Sequence, residues 1–326
     1  MSPTATPGAA TLRARALVAA RMELAAALGR RAGDFVNEPS NVAEMLRAGL
    51  EELADPDCLA GQRMIAPGIG PQLGVRQPLL GAVSRGLRAT TRRDRPTTLL
   101  DVADALFRDP LAELHWLAID VLDRTITREP EQTWQLARAE ARRATEWITV
   151  DRLARVAGRG ILAEPYRWAE LEQLVYSPSR WERRLAASTV ATIPVVDRVA
   201  GRTPDVARHG LAIVADLAGD AEPDVQKALS WALRSMAAID LPATAAFLRA
   251  EARTARDTAD GHRAWVVRDA CERLPGALAT ELKATLGGVR KRPGAPSTSR
   301  ASATAADFLT YGLAVPPAER TVIDRS

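Results

Sequence analysis

The chain has 326 residues, 47% of them hydrophobic and only 4% aromatic, and a formal net charge of +4 from 44 Lys and Arg against 40 Asp and Glu. This length exceeds the usual size of one compact core, so we expect either two domains or an elongated array. The charge excess is too small to indicate a polyanionic partner by itself.

The two cysteines, Cys58 and Cys271, lie far apart and lack the paired spacing of a zinc site or a redox motif. We therefore expect neither a disulfide framework nor a metal, in a reducing, cytoplasmic setting. The N-terminal stretch lacks the continuous apolar core and cleavage site of a signal peptide, and no apolar run approaches the roughly 20 residues of a membrane span. The expectation is a soluble monomer without membrane contact.

The chain divides into three parts by composition. Residues 1–40 predict an N-terminal extension with one amphipathic helix. Residues 41–288 contain consecutive segments of helical spacing, most of them bounded by Pro, Gly, Asp or Ser. Residues 289–326 are rich in Pro, Ser, Thr and Ala and predict a flexible tail, within which residues 306–315 are apolar enough to dock against another surface.

The predicted fold class is all-α. No run alternates apolar and polar residues long enough to indicate a strand. Amphipathic helices of this length, joined by short turns, cannot bury their apolar faces singly, so we expect a curved α-solenoid of HEAT-like helical repeats. This expectation depends on the number and length of the helices, because the repeat is degenerate.

Basic residues are concentrated in three stretches, at residues 85–95, 138–147 and 287–293. These stretches are candidates for pieces of one surface that faces phosphates. Solvated helix faces rich in arginine would give the same pattern.

The stretch EWITVD places Trp147 and Asp151 four residues apart in a predicted helix. Residues one turn apart share a helix face, so the indole ring and the carboxylate address the same small volume. A tryptophan at this spacing is also typical of a helical core, and Asp151 could instead form an ordinary ion pair with Arg155.

Two later segments carry further candidates. SRWERRLAAS places Arg183 and Arg184 at the start of an apolar run, and DVQKALSWALRS places Lys227, Trp231 and Arg234 at i, i+4 and i+7 on one helix face. Trp231 is open to the same core interpretation as Trp147, and Arg184 could be a solvated or carboxylate-paired arginine. Spacing alone leaves the function undecided.

The order of these segments resembles the DNA alkylation repair family of HEAT-like DNA glycosylases, the AlkD-like proteins. The segments that carry the resemblance are LGVRQPLLGAV, DPLAELHWLAIDVLDR, EWITVD, SRWERRLAAS and DVQKALSWALRS, within roughly residues 45–285. EWITVD is similar to a Trp-Trp-Asp-x-Val-Asp motif, and here Ile148 and Thr149 fill the positions that follow Trp147. No single motif is specific for this family, but the occurrence of all five motifs in the same order is.

The resemblance implies a site. Trp147 and Trp231 would flank an alkylated base, Asp151 would face the deoxyribose as the catalytic carboxylate, and Arg184 would contact the DNA backbone. Arg183 is the weaker candidate, because the family arginine stands three residues after the tryptophan. We further expect Lys227 and Arg234 to contact the DNA backbone.

The implied activity is hydrolysis of the N-glycosidic bond of cationic N3- or N7-alkylated purines in duplex DNA. Nucleoid association would follow from DNA binding. Two alternatives stay open: a noncatalytic relative that binds damaged or branched DNA, and a HEAT-type protein-interaction scaffold. The scaffold predicts an apolar or acidic concave face and no salt-dependent binding to duplex DNA.

Overall fold

The structure, a computed structural model, describes residues 8–305 and consists of helices and loops, without a strand in that range. Two compact units divide between Arg152 and Leu153. The helices of the first unit are α1 (Ala9–Asp34), α2 (Pro39–Glu51), α3 (Pro56–Ile65), α4 (Gln77–Thr90), α5 (Pro96–Arg108), α6 (Ala112–Thr125) and α7 (Pro130–Arg143). Helix α8 (Trp147–Ala163) contains the division.

Between residues 164 and 286, the second unit continues with seven more α-helices and two short 3-10 turns, one after α9 and one after α14. Its helices after α8 are α9 (Arg167–Gln173), α10 (Arg180–Val196), α11 (Pro204–Leu217), α12 (Pro223–Ala237), α13 (Leu241–Asp257), α14 (Gly261–Ala270) and α15 (Gly276–Leu286). Proline explains why many helices begin where they do. Its fixed φ suits the first helical turn, where the missing N–H has no intrahelical partner. Helices with proline at their first residue are α2, α3, α5, α7, α11 and α12.

Helices two apart in sequence pack on one another, which is the arrangement of stacked helical repeats. In the second unit α10, α12 and α14 pack in succession, and so do α11, α13 and α15. In the first unit α4 packs on α6 and α5 packs on α7, whereas α1 packs on α4 and α2 packs on α5, three helices further along the chain. The predicted fold class, an all-α protein of HEAT-like helical repeats, is confirmed.

The helix predicted in the N-terminal extension is α1, and it packs closely on α4. A Cβ atom added at Gly29 would collide with the carbonyl oxygen of Val83, and one at Gly86 would collide with that of Ala26. The two backbones therefore approach too closely for any residue larger than glycine at these positions.

A buried carboxylate holds the segment before α4 in place. Glu113, in the first turn of α6, is fully buried, and its Oε1 accepts hydrogen bonds from the backbone N–H groups of Leu73 at 3.0 Å, Gly74 at 2.8 Å and Val75 at 3.2 Å. Gly74 has φ +77°, and a Cβ there would lie 2.6 Å from the Asp55 carbonyl oxygen. The LGV segment thus combines a glycine-only turn with a three-donor site for one carboxylate.

The C-terminal tail begins at residue 289, and residues 289–305 of it are described. They belong to the second unit, where the Thr298 N–H donates to the Gly219 carbonyl at 2.9 Å and the Thr298 hydroxyl donates to Asp260. His262 Nε2 lies 3.0 Å from the Ala295 carbonyl oxygen. The apolar segment 306–315 lies outside the described residues. Within residues 8–305, no helix is long and apolar enough to span a bilayer.

We predict that Glu113→Gln lowers the free energy of unfolding. The amide keeps one acceptor oxygen but removes the charge that the three N–H groups of the LGV segment bind, at a cost of about 1–3 kcal/mol. Urea unfolding followed by circular dichroism measures the change. Glu51→Gln, at an exposed position of α2, is the matched control. Equal stability of the two variants would contradict the assigned role of Glu113.

Candidate nucleic-acid interface

The start of α8 is fixed by the residue that precedes it. Glu146 is 5% exposed, and its carboxylate accepts hydrogen bonds from the backbone N–H of Ile148 and, at 2.9 Å, from that of Thr149. These donors belong to the first helical turn and have no intrahelical acceptor. A carboxylate there also interacts favourably with the helix dipole. The helix consequently begins at Trp147.

Trp147 and Asp151 both lie on α8, one turn apart, and both are partly exposed. The spacing within a helix places the two side chains on the same face. The structure therefore brings these two predicted site residues together on one helix face of the first unit.

The seven tryptophans fall into two groups by exposure. Four are buried and contribute to the core: Trp116, Trp134, Trp168 and Trp181. Three are partly exposed: Trp147, Trp231 and Trp265. Two of these three are the tryptophans predicted to contact the base, and Trp265 is one that sequence reasoning did not select.

Further contacts of the first unit position α8. The buried Trp116 donates from its indole N–H to the Thr149 hydroxyl at 3.3 Å. Arg152, next to Asp151, has its guanidinium carbon 4.9 Å from the centroid of the Trp116 ring, and it donates to Gln77 Oε1 at 2.6 Å. Helix α6 and the start of α4 thus both hold the turn that carries the aspartate. The sequence signal for this was Trp116, a lone aromatic in an apolar helix.

The two arginines of α10 make contacts within the second unit. Arg183 donates from Nε to Asp220 at 2.7 Å and from Nη1 to the Ser177 carbonyl at 2.8 Å. Arg184 is 5% exposed and donates to the Asp224 carbonyl at 2.6 Å, which joins α10 to the start of α12. Both arginines therefore help to position α12, and their contact with the DNA backbone stays a prediction.

Helix α12 presents the remaining predicted residues on one face. Lys227 is exposed, and Trp231 and Arg234 are partly exposed. Arg234 forms an ion pair with Asp269 of α14 at 2.9 Å, and Asp269 also accepts from the Ser230 hydroxyl. A hollow of about 680 Å³ beside this face is lined by Trp231, Arg234, Ser235, Ala238, Glu272 and Arg273.

A histidine next to Glu113 links α6 to its surroundings. His115 Nδ1 lies 3.1 Å from Glu140 Oε1, and Nε2 lies 2.6 Å from the Asp109 carbonyl oxygen. Burial lowers the pKa of His115, but the hydrogen bonds and charges of Glu140 and Asp109 outweigh it and raise the pKa above its ordinary value. Both ring nitrogens face acceptors, so the folded chain favours the imidazolium.

Metal ligation has no support within residues 8–305, where no group of three or more His, Cys, Asp or Glu side chains is arranged to hold an ion. Cys58 and Cys271 form no disulfide, and burial is the largest cause that raises the pKa of each thiol. Neither thiol is thereby activated as a nucleophile.

The structure defines the class of protein as an all-α array of helical repeats. The family model described as "DNA alkylation repair enzyme" matches residues 46–274, more than half of the chain. The chain belongs to this DNA alkylation repair family. Membership supports a role in DNA repair with DNA as the partner. A comparison with curated proteins gives no significant match.

We predict that stability depends on the protonation of His115. Its raised pKa means that the contribution to stability is fully present below about pH 6.5, the ordinary value, and is lost as the pH rises through the folded value. The free energy of unfolding in urea, measured at several pH values from 6 to 9, should fall with pH more steeply in the unmodified chain than in His115→Gln. Parallel curves would contradict the assignment.

Proposed function

We propose that the protein is an AlkD-like DNA glycosylase that hydrolyses the N-glycosidic bond of cationic N3- or N7-alkylated purines in duplex DNA. Asp151 is its catalytic carboxylate, and Trp147 and Trp231 contact the alkylated base. One observation carries the proposal. The partly exposed Trp147 and Asp151 lie one turn apart at the start of α8, a turn held by Glu146, Trp116 and Arg152.

The tryptophans favour the damaged base because of its charge. Alkylation at N3 or N7 makes the purine a cation, and a cation near an indole face gains roughly 0.5–2 kcal/mol, the larger value when desolvated. A neutral purine gains less, so the rings of Trp147 and Trp231 discriminate between damaged and undamaged bases. Partial exposure of both rings leaves surface for such contact.

The carboxylate acts on the sugar. As the bond between C1′ and the base nitrogen breaks, its electron pair leaves with the base, which becomes neutral, and the sugar develops oxocarbenium character. The negative charge of Asp151 stabilises this developing positive charge and orients the water that adds to C1′, and the proton that this water loses passes to the carboxylate and from there to solvent. A cationic base is a good leaving group without protonation, so one aspartate suffices and no general acid is required.

The basic residues of the second unit supply affinity. Lys227 is exposed on the face of α12 that carries Trp231, and we assign it to phosphate contact together with Arg234, Arg183 and Arg184. Phosphate contacts of this kind release counterions, so binding should weaken steeply with salt. The hydrogen bonds from Arg183 to Asp220 and from Arg184 to the Asp224 carbonyl tie α10 to the start of α12, which supports α12 as a rigid element of the interface.

The remaining assignments follow from this mechanism. It uses no metal and no organic cofactor, and a single chain is sufficient as a monomer. The working domain would be residues 41–288, with the extension 1–40 and the tail 289–326 outside the chemistry. A cytoplasmic, nucleoid-associated location would follow from the DNA substrate.

We predict that the purified protein releases 3-methyladenine or 7-methylguanine from methylated duplex DNA and that Asp151→Asn reduces the single-turnover rate by about 100-fold or more. Loss of the charge removes the stabilisation of the sugar cation while the size of the side chain is kept. Released bases are quantified by chromatography. Asp101→Asn, at an exposed position of α5, is the matched control and should leave the rate unchanged.

The other outcomes of this experiment distinguish the glycosylase from the two alternative functions. Tight, salt-dependent DNA binding without base release would exclude the glycosylase and favour a noncatalytic DNA-binding relative. Neither release nor salt-dependent binding would favour the protein scaffold. Equal rates for Asp151→Asn and the unmodified chain would remove Asp151 from the mechanism.

A further inference from the structure

The basic segment 287–292 lies after α15 and outside the family match of residues 46–274. Its backbone is held against α14 by one arginine. Arg268 donates from Nη1 to the Val289 carbonyl at 2.6 Å and from Nη2 to the Gly287 carbonyl at 2.9 Å. The three consecutive basic residues Arg290, Lys291 and Arg292 therefore follow a fixed point on the surface of the second unit.

Lys291 is positioned by two helices. Its Nζ lies 4.3 Å from the centroid of the Trp265 ring on α14, and it donates a hydrogen bond to Gln226 Oε1 on α12. Gln226 is fully buried and is itself fixed, because its Nε2 donates to the Asp220 carbonyl at 2.6 Å and lies 3.1 Å from His262 Nδ1. The ammonium group is thus held by a cation–π contact and a buried amide.

One further cation, Lys227, and one carboxylate, Asp269, act on the ammonium group of Lys291. Burial is the larger cause that lowers the pKa of Lys291, and the nearby Lys227 lowers it further, whereas Asp269 raises it. Burial likewise lowers the pKa of Arg268, and Arg290 adds to the effect. Cations held this close repel one another, and an anion placed between them relieves the repulsion.

The acidic side chains of this region do not neutralise the positive charge of the basic ones. Trp265, Lys291, Arg268, Arg290, Asp269, Glu272 and Gly261 line a hollow of about 510 Å³. Asp269 is engaged by Arg234 at 2.9 Å and by the Ser230 hydroxyl. Three basic side chains therefore face one carboxylate that is already paired and one exposed glutamate.

The hollow is continuous with the interface on α12. The ion pair between Arg234 and Asp269 connects α12 to α14, and Glu272 lines both this hollow and the one beside Trp231. A phosphate chain that follows the face of α12 would therefore reach α14 and the segment beyond it. This continuity favours duplex DNA over an acidic protein as the ligand.

We propose that Arg290, Lys291 and Arg292, with Lys227, form a second phosphate-binding surface that extends the contact with duplex DNA beyond the lesion site. The ligand is the phosphodiester backbone, without preference for base sequence. The assignment rests on the proposed function for the DNA-binding face of α12, but it does not require catalysis. Trp265 serves as a positioning residue that holds Lys291.

The test measures binding of a fluorescently labelled, undamaged 20-base-pair duplex by anisotropy at a series of KCl concentrations. Each phosphate contact contributes about −0.9 to the slope of log K against log salt, so Arg290→Gln/Lys291→Gln should reduce the slope by roughly 2 and weaken binding about 10-fold or more near 0.1 M salt. Arg290→Lys/Lys291→Arg keeps both charges and should retain the slope.

The matched control is Arg253→Gln/Arg256→Gln, which removes the same charge from exposed positions of α13. An unchanged slope in the segment variant, or an equal reduction in the control, would overturn the proposal. Replacing chloride by inorganic phosphate at equal ionic strength separates the two sources of phosphate. If a low concentration of inorganic phosphate displaces DNA from the unmodified chain but not from Arg290→Gln/Lys291→Gln, the segment binds free phosphate. That result would also overturn the proposal.

The outcome is independent of base release. If the unmodified chain releases no base but the slope changes as predicted, the glycosylase assignment fails and the phosphate-binding surface stands. If the unmodified chain releases base but the salt slope is the same in the segment variant, the glycosylase assignment stands and the phosphate-binding surface fails.

Discussion

The start of α8 is the constraint on which the candidate chemistry depends. Trp147 and Asp151 act together only if this turn is rigid, because a displacement of about 1 Å can cost 100-fold in rate. The Glu146 carboxylate caps the helix, and Trp116 bonds Thr149 within its first turn. The side chain of Arg152 adds a contact to the Trp116 ring, so α6 and α8 are joined on both sides of Asp151.

Buried and partly exposed tryptophan side chains have different roles in this fold. Trp116 is buried and positions other groups, whereas Trp147 and Trp231 keep part of their ring surface exposed. Trp265 is partly exposed like Trp147 and Trp231, but it positions another group like Trp116, because the ammonium of Lys291 lies over its ring. Exposure divides the tryptophans into those that build the core and those available to a ligand, a distinction that residue type alone does not make.

The sequence predicted the helical fold and the shared helix of Trp147 and Asp151, because both depend on local periodicity. It did not predict the three-donor site of Glu113 or the bond from Trp116 to Thr149, which join residues 33 or more positions apart. Such contacts arise from tertiary packing. For the same reason the bond of Arg184 to the Asp224 carbonyl was not foreseen.

The central claim is that the charge of Asp151 stabilises a positive sugar. The most direct measurement compares the affinities for duplexes carrying, in place of one nucleotide, a cationic pyrrolidine sugar analogue or a neutral tetrahydrofuran analogue. We expect roughly 10-fold or greater preference for the cationic analogue in the unmodified chain and loss of this preference in Asp151→Asn. Equal affinity for both duplexes, or full preference in Asp151→Asn, would contradict it.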